Sequence, residues 1–227
     1  MIQLERIDLL SLQRFACLLV REPLFRLSPD SATGEIVDGD QLQSTVQAQA
    51  TVKSQATVKS QATVQPQSIP QPPSIVLGLC GPLGIGKTKL AQFLAAAAGI
   101  PKTDVTSPTF TLWQTYRLTT NDTDQSASVF ETLHHLDLYR VVDADEFWQL
   151  GVEECWDVSR SLTVIEWADR FAAELPSHTI WIQMQIDPSV ETSKQSSDSD
   201  RKIIIECSDA TRRSWLDRVV ASFDPPK

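Results

Sequence analysis

Apolar residues recur at helical spacing in three parts of the chain. The three sets are Leu12, Phe15, Ala16 and Leu19; Leu90, Phe93, Leu94 and Ala97; and Leu216, Val219, Val220 and Phe223. Because residues at this spacing share one helix face, they predict helices over 8–21 and 87–98 and a last helix near the end of the sequence. Pro23 ends the first predicted helix, and Gly99 with Pro101 ends the second.

Shorter apolar runs predict strands between these helices. Residues 75–80 (IVLGLC) and 162–165 (LTVI) read as buried parallel strands, and residues 133–139 alternate as a strand does. Alternation at 182–186 and the strand 202–206, on either side of a Ser/Asp-rich turn at 192–200, predict an antiparallel hairpin. Asp143 with Glu146 resembles a capping box that opens a short helix closing at Gly151. The pattern predicts an α/β fold with a mainly parallel central sheet and this C-terminal hairpin.

One tract lacks these patterns and divides the chain. A six-residue unit recurs there as QATVKS at 49–54 and 55–60 and as QATVQP at 61–66. So polar a segment has too little apolar surface to offset the entropy of ordering it. We therefore predict an N-terminal helix of the core in 1–27, a low-complexity flexible insertion in 28–74, and the α/β core in 75–227.

Composition narrows the functional classes. The 227 residues carry 20 basic and 29 acidic side chains, a formal charge of -9, which disfavours stable, unaided binding to a phosphate backbone. No apolar run approaches the roughly 20 residues that span a bilayer, and the N-terminus lacks a signal-peptide pattern. We expect a cytoplasmic protein without a membrane anchor. Its four scattered cysteines are expected to be buried thiols.

The strongest motif lies between the strand 75–80 and the helix 87–98. It is a G-x-x-x-x-G-K-[ST] sequence formed by Gly81, Pro82, Leu83, Gly84, Ile85, Gly86, Lys87 and Thr88. In such a P-loop, backbone N–H groups surround the phosphates of ATP, the lysine reaches the β- and γ-oxygens, and the Thr hydroxyl ligates Mg²⁺. A glycine turn that only joins two elements needs neither the second glycine nor Lys-Thr. We predict that residues 81–88 and Lys89 bind ATP.

Two carboxylates are candidates for the magnesium shell and for catalysis. Glu166 ends the apolar run 162–165, at the strand end where P-loop enzymes place such a group. Asp137 lies between Leu136 and Leu138 within a strand pattern, where an unpaired buried carboxylate is costly. A solvated surface charge is the alternative for each. Thr109, in the segment 107–111, is a candidate phosphate sensor, although ordinary turn chemistry explains that segment as well.

Five blocks in fixed order carry a resemblance to a known family. They are GPLGIGKTKL at 81–90, SPTFTLWQTY at 107–116, HLDLYR at 135–140, QLGVEECW at 149–156 and VIEWADR at 164–170. Together they resemble the TsaE family, also called YjeE, the ATPase that supports threonylcarbamoyladenosine modification of tRNA. The family has Asp at the position of Pro82, Ala at that of Ile85, and commonly Pro at that of Ala168. These departures remove no ligand, and Pro82 bears on turnover more than on binding.

The resemblance implies a fold, cofactors and partners. The fold is a three-layer P-loop NTPase fold, and the cofactors are ATP and Mg²⁺. The partners are homologues of TsaD and TsaB, which carry most of the tRNA contact. Lys87 and Thr88 match the family's phosphate and magnesium residues, and Thr109 lies in its switch-like loop. Asp137 and Glu166 match its two acidic residues, so the resemblance implies catalytic roles for Lys87, Asp137 and Glu166 and a metal-binding role for Thr88 and Glu166.

The resemblance also implies that two polar stretches, 28–74 and 119–127, are insertions relative to the family.

Two other functions fit a P-loop that is accompanied by carboxylates able to bind magnesium. A small-molecule kinase would in addition need clustered lid arginines, and Arg140, Arg160 and Arg170 are scattered. The other is a nucleotide-gated binding module without significant turnover.

Overall fold

A computed structural model describes residues 1–22, 74–101, 103–106, 108–118, 128–156, 158–186 and 201–223. Three predicted segments therefore lie outside the described residues. They are the low-complexity insertion 28–74, apart from Ser74, the insertion 119–127 and the turn 192–200. The domain boundaries stay a prediction.

Strands and helices alternate along the described chain. The strands are β1 (Ile2–Ile7), β2 (Ile75–Cys80), β3 (Trp113–Arg117), β4 (Thr132–Asp137), β5 (Ser161–Glu166), β6 (Ile180–Ile186) and β7 (Arg201–Glu206). The helices are α1 (Leu9–Arg21), α2 (Lys87–Ala97), α3 (Ala144–Gln149) and α4 (Ala210–Ala221), with 3-10 turns at Val152–Cys155 and Ala168–Phe171. Among the described residues, no helix is long and apolar enough to cross a membrane.

The seven described strands form one sheet in the order β1-β7-β6-β2-β5-β4-β3. The four central strands β6, β2, β5 and β4 are mutually parallel, whereas β1–β7, β7–β6 and β3–β4 pair antiparallel. The sheet is therefore mixed, with the parallel central strands that the sequence pattern predicted. The strands β1 and β3 at the two edges of the sheet, each antiparallel to its neighbour, were not predicted.

Physical reasons explain why these two strands were missed. In β1 the register shifts between Leu4 and Ile7, and Arg6 adopts a positive φ of 53°, so the buried residues Leu4 and Ile7 are three apart rather than two. Such a bulge removes the alternation by which a strand is recognised. Strand β3 has no fully buried residue, because it lies at the outer edge of the sheet and, of the described strands, pairs only with β4.

Two clusters of apolar side chains pack on the sheet. Ile75, Leu77 and Leu79 of β2 join a cluster with buried residues of α1, α2 and α4. The intervening Val76 joins a second cluster with Phe147 of α3 and residues of the 3-10 turns. Because successive strand residues point to opposite faces, the two clusters cover the two faces of the sheet.

Three of the four described α-helices begin at side-chain caps that the sequence supplies, whereas α2 begins at Gly86 without one. Asp8, Asp143 and Asp209 each accept a hydrogen bond from the backbone N–H three residues later, at the starts of α1, α3 and α4. The structure confirms the cap predicted at Asp143, although the Glu146 carboxylate accepts from Val142 N–H rather than from the cap residue. All four cysteines are free thiols; Cys80 and Cys155 are buried, whereas Cys17 and Cys207 are only half-buried.

Candidate functional site

The loop between β2 and α2 has the backbone that its glycines allow. Gly81, Gly84 and Gly86 have φ values of 133°, 78° and 110°, a region that side-chain-bearing residues seldom occupy. At Gly81 a Cβ would lie 2.3 Å from the carbonyl oxygen of Met184 in β6, so no larger residue fits. The glycine spacing of the motif therefore follows from the backbone path and from close contact with the sheet.

A pocket of about 320 Å³ opens beside this loop. The residues that line it are Leu83, Gly84, Gly86, Lys87, Thr88, Thr109, Asp137, Tyr139, Glu166 and Trp167. The pocket lies where β4 and β5 end and α2 begins, the place at which open parallel sheets bind ligands. It thus brings together eight of the twelve residues predicted to bind ATP or magnesium or to act in catalysis.

Lys87 is the buried cation of this pocket, with 4% of its surface exposed. Its ammonium group donates to the carbonyl oxygens of Gly81 at 2.8 Å and Pro82 at 3.0 Å, and lies 3.6 Å from the ring centroid of Trp167. Burial lowers the pKa of Lys87, although the negative charges of nearby carboxylates, Glu166 foremost, oppose that shift. The lysine is therefore a poorly solvated charge that an anionic ligand would stabilise.

Glu166, at the end of β5, is fixed through both carboxylate oxygens. The Thr88 hydroxyl donates to Oε2 at 2.7 Å, and Nε2 of His135 lies 2.8 Å from Oε1. The glutamate is 2% exposed, which excludes the alternative of a solvated surface charge. The carboxylate is thus held directly beside the hydroxyl that the motif assigns to magnesium.

Sequence reasoning missed His135. The three histidines of the chain show no spacing typical of metal ligands, so the sequence alone assigned His135 no role. The structure buries His135 completely, and its Nδ1 has no hydrogen-bond partner within the described part of the chain. The available signal was its position two residues before Asp137 in the same strand, which places both side chains on one face.

Asp137 ends β4 and is paired in the sheet with Glu166 of β5. The Thr109 hydroxyl donates to its Oδ2 at 2.6 Å, and the backbone N–H of Tyr139 donates to its Oδ1 at 3.0 Å. Its exposure is 3%, so the solvated strand face considered as an alternative does not occur. The contact brings the segment after α2 to the carboxyl end of β4.

Trp167 and Tyr139 form the aromatic wall of the pocket. Trp167 follows Glu166 with a left-handed φ of 61°, which turns the chain sharply after β5. Its ring lies over the Lys87 ammonium, and the Tyr139 ring centroid is 5.0 Å away. The aromatic face therefore contacts the same cation that the loop carbonyls contact.

Four predicted nucleotide-binding residues do not line the pocket. Gly81 and Pro82 instead contact Lys87, because their carbonyl oxygens accept hydrogen bonds from its ammonium group. The Ile85 side chain is buried in the apolar cluster that contains α1 and α2. Lys89 lies with its ammonium 5.8 Å from the ring centroid of Phe93 on the same helix.

The donor set is consistent with a nucleotide bound with magnesium. Mg²⁺ prefers oxygen ligands and usually takes one or two carboxylates together with phosphate oxygens, and the pocket offers Thr88, Asp137 and Glu166. Across the described ranges, no group of three or more His, Cys, Asp or Glu side chains could hold a metal ion. Phosphate oxygens would have to complete the ligand shell.

Comparison with known proteins identifies the family. A family model described as "Threonylcarbamoyl adenosine biosynthesis protein TsaE" matches residues 43–196. The chain belongs to the TsaE family. This finding confirms the resemblance predicted from the five sequence blocks, and it connects the chain with tRNA threonylcarbamoyladenosine biosynthesis.

Individual relatives agree with the family match. The chain is 37% identical over 113 residues to a Treponema pallidum protein, which covers 49% of this chain and 73% of that protein. It is 33% identical over 108 residues to a Rickettsia bellii protein, covering 48% and 67%. Both are named tRNA threonylcarbamoyladenosine biosynthesis protein TsaE. The crystal structure of Bacillus subtilis YdiB superposes with a TM-score of 0.53 at 17% identity, covering 98% of this chain and 96% of that one, and shows that the folds are alike.

Proposed function

We propose that this TsaE-family chain is a magnesium-dependent ATPase that supports threonylcarbamoyladenosine modification of the tRNA adenosine beside the anticodon, with homologues of TsaD and TsaB as partners. One observation carries the ATPase assignment: the partly buried Thr88–Glu166 hydrogen bond of 2.7 Å lies in the same pocket as Lys87 and Asp137. Such a set of buried charges costs stability, and a bound nucleotide offsets that cost. The α-helices on both faces of the sheet support a three-layer P-loop NTPase fold.

Each residue has a role in the proposed reaction. Backbone N–H groups of the loop and the start of α2 bind the phosphates, and Lys87 exchanges its bonds to the Gly81 and Pro82 carbonyls for bonds to phosphate oxygens. Asp137 orders a water molecule that attacks the γ-phosphorus, and the bond to the β–γ bridging oxygen breaks to release ADP. His135 keeps the Glu166 carboxylate in place.

Thr88 and Glu166 would hold the magnesium ion. Bound with the nucleotide, the ion supplies charge neutralisation at the β- and γ-phosphate oxygens. The short hydrogen bond between the two side chains keeps their oxygens adjacent in its absence. Thr109, bonded to Asp137, is placed to report whether the γ-phosphate is present.

The decisive binding experiment measures MgATP affinity and phosphate release for the whole chain and for two variants. Lys87→Ala is expected to abolish ATP binding, whereas Glu166→Ala is expected mainly to lower turnover. Lys202→Ala serves as the matched lysine control, because that side chain pairs with Glu5 away from the pocket. Normal ATP binding by the Lys87 variant would refute the ATPase assignment.

The partner proposal needs its own experiment. The chain is mixed with TsaD and TsaB homologues from the same organism, without nucleotide, with ADP and with a non-hydrolysable ATP analogue, and association is measured by pull-down. We expect association that depends on the nucleotide state. Failure to associate in every state would favour a small-molecule kinase instead.

The arginines of the structure favour the ATPase over that kinase. Arg160 pairs with Glu131 at 2.8 Å, and Arg170 donates to the backbone carbonyls of Leu138 and Tyr139. The Arg140 guanidinium lies 4.4 Å from the ring centroid of Phe110. None of the three is among the residues that line the described pocket, so they do not form the arginine lid that phosphoryl transfer to a small molecule requires.

A further inference from the structure

Arg201, the first residue of β7, contacts the P-loop on the side opposite the nucleotide pocket. Only 7% of the residue is exposed, and its Nε donates to the carbonyl oxygen of Ile85 at 2.7 Å, across 116 positions of sequence. The guanidinium also lies close to Gly86, where a Cβ would be 3.3 Å from Nε. The arginine therefore contacts the loop on the side away from the pocket.

This hydrogen bond fixes one peptide group of the loop. In a trans peptide, the C=O of Ile85 and the N–H of Gly86 point in opposite directions within one rigid plane. Because the carbonyl is directed to Arg201, the Gly86 N–H is directed to the other side, where Gly86 lines the pocket. A loop whose N–H groups converge in this way binds anions.

We propose that Arg201 is a positioning residue for the triphosphate site: its Nε–H holds the Ile85–Gly86 peptide in the orientation that presents the Gly86 N–H to the phosphate groups of ATP. The inference rests on the proposed function, since it assigns Arg201 to that same nucleotide site. It also gives the buried arginine a role that the motif does not contain.

Three substitutions separate the hydrogen bond from the charge. Arg201→Gln places an amide nitrogen at the same number of bonds from the backbone as the arginine Nε, so it keeps the donor and removes the charge. Arg201→Lys keeps the charge but has only a methylene group at that position. Arg201→Met removes both and keeps an unbranched side chain.

Arg212 offers a matched control at the opposite end of β2. It is 9% exposed, and its Nη2 donates at 2.9 Å to the carbonyl oxygen of Ser74, the residue that precedes β2. Arg212→Met therefore removes a similarly buried arginine and a similar long-range bond to a carbonyl. It does so without touching the P-loop.

The experiment measures the Kd for MgATP by displacement of a fluorescent ATP analogue, together with the thermal midpoint of each protein. We expect the Kd to rise about tenfold in Arg201→Met and Arg201→Lys, the effect of one lost hydrogen bond. Arg201→Gln and Arg212→Met are expected to stay within about threefold of the parent. Rescue by Gln is a result that a merely stabilising arginine would not produce.

Other outcomes overturn the inference. One is an unchanged Kd for MgATP in Arg201→Met, and another is a rise of this Kd in Arg212→Met as large as that in Arg201→Met. A third is normal MgATP binding by Arg201→Lys together with weak binding by Arg201→Gln. If Arg201→Met does not fold, the comparison of the Lys and Gln variants decides. A parent protein that binds no MgATP would refute the proposed function itself, whereas a binding parent with unaffected variants refutes this inference alone.

Discussion

The parallel strands of the sheet bury polar groups at both ends, but of different kinds. At the carboxyl end, where β2, β4 and β5 stop, the buried groups are ionisable: Lys87, Asp137 and Glu166, with His135 beside them. At the amino end they are neutral hydroxyl groups and the Arg212 guanidinium, which is bonded within the fold to the Ser74 carbonyl oxygen and to Asp209. Ser161 and Thr163 of β5 donate to carbonyl oxygens in the segment before that strand, Ser161 to Val158 at 2.7 Å and Thr163 to Cys155 at 3.3 Å.

Because of this difference, the carboxyl end has the features of a binding site, whereas the amino end has only a structural role. A neutral hydroxyl bonded to a carbonyl satisfies both groups within the fold, so the amino end is complete without a ligand. Buried charges are costly to fold, and the lowered pKa of Lys87 reflects that cost. We therefore expect substitutions at the carboxyl end to change ligand binding, and substitutions at the amino end to change stability alone.

The largest expected effect is at Lys87. At an ATP concentration 100 times the Kd, binding should stabilise the parent protein by about 2.7 kcal/mol, and Lys87→Met should lose this stabilisation. Without nucleotide, the variant should unfold at or above the temperature of the parent, because the burial that lowers the pKa of Lys87 makes its charge unfavourable to folding. Thermal unfolding with and without MgATP measures both. A large loss of stability without nucleotide, or an undiminished response to ATP, contradicts the comparison.

A smaller effect is expected for Ser161→Ala at the amino end, and it should change stability rather than ATP binding. The substitution removes the hydroxyl that donates to the Val158 carbonyl oxygen at 2.7 Å, while the Ser161 backbone N–H still donates to that oxygen at 3.2 Å. The loss of one of these two hydrogen bonds should lower the free energy of unfolding by about 0.5–1.5 kcal/mol. The Kd for MgATP should not change. Urea unfolding and a nucleotide titration test the two statements separately, and weakened binding would show that the two ends are coupled.

At the same end, Asp209 caps α4 by accepting from the Arg212 backbone N–H at 2.8 Å. This hydrogen bond lowers the pKa of Asp209, with the charge of Arg212 acting in the same direction. Asp209→Ala should cost about 1 kcal/mol of stability. Because the folded pKa lies below the ordinary 3.8, the contribution is present at neutral pH and is lost as the pH falls through the folded pKa. Parent and variant should therefore converge in stability in acid; a constant difference would exclude the carboxylate as the cause.

The smallest expected difference is between two thiols, Cys80 at the carboxyl end and Cys155 near the amino end. Burial raises the pKa of each to about 12, and the positive charge of Lys87 does not reverse this at Cys80. At pH 8 both should resist iodoacetamide while the half-buried Cys17 reacts, because only the thiolate is nucleophilic. Mass spectrometry of the labelled protein measures this. Faster labelling of Cys80 than of Cys155 would mean that the charged end activates its thiol.

Local signals account for what could be predicted. Strands β2 and β5 are short apolar runs bounded by turn residues, and the P-loop with its helix is contiguous in sequence, so the central site was recognisable. The parts that escaped prediction depend on partners far along the chain. Strand β1 exists because β7 pairs with it, His135 meets Glu166 only across β4 and β5, and Arg201 meets Ile85 only through β7. No local pattern encodes such contacts.

The pairing of β1 with β7 also sets an order of events during protein synthesis. Among the described strands β7 alone pairs with β1, so β1 gains this neighbour only after Arg201–Glu206 has emerged from the ribosome. Strand β7, placed between β1 and β6, also carries Arg201 to the P-loop. A nascent chain that stops before β7 therefore has the entire nucleotide motif but lacks the Arg201–Ile85 hydrogen bond, and this contact forms only after β7 has been synthesised.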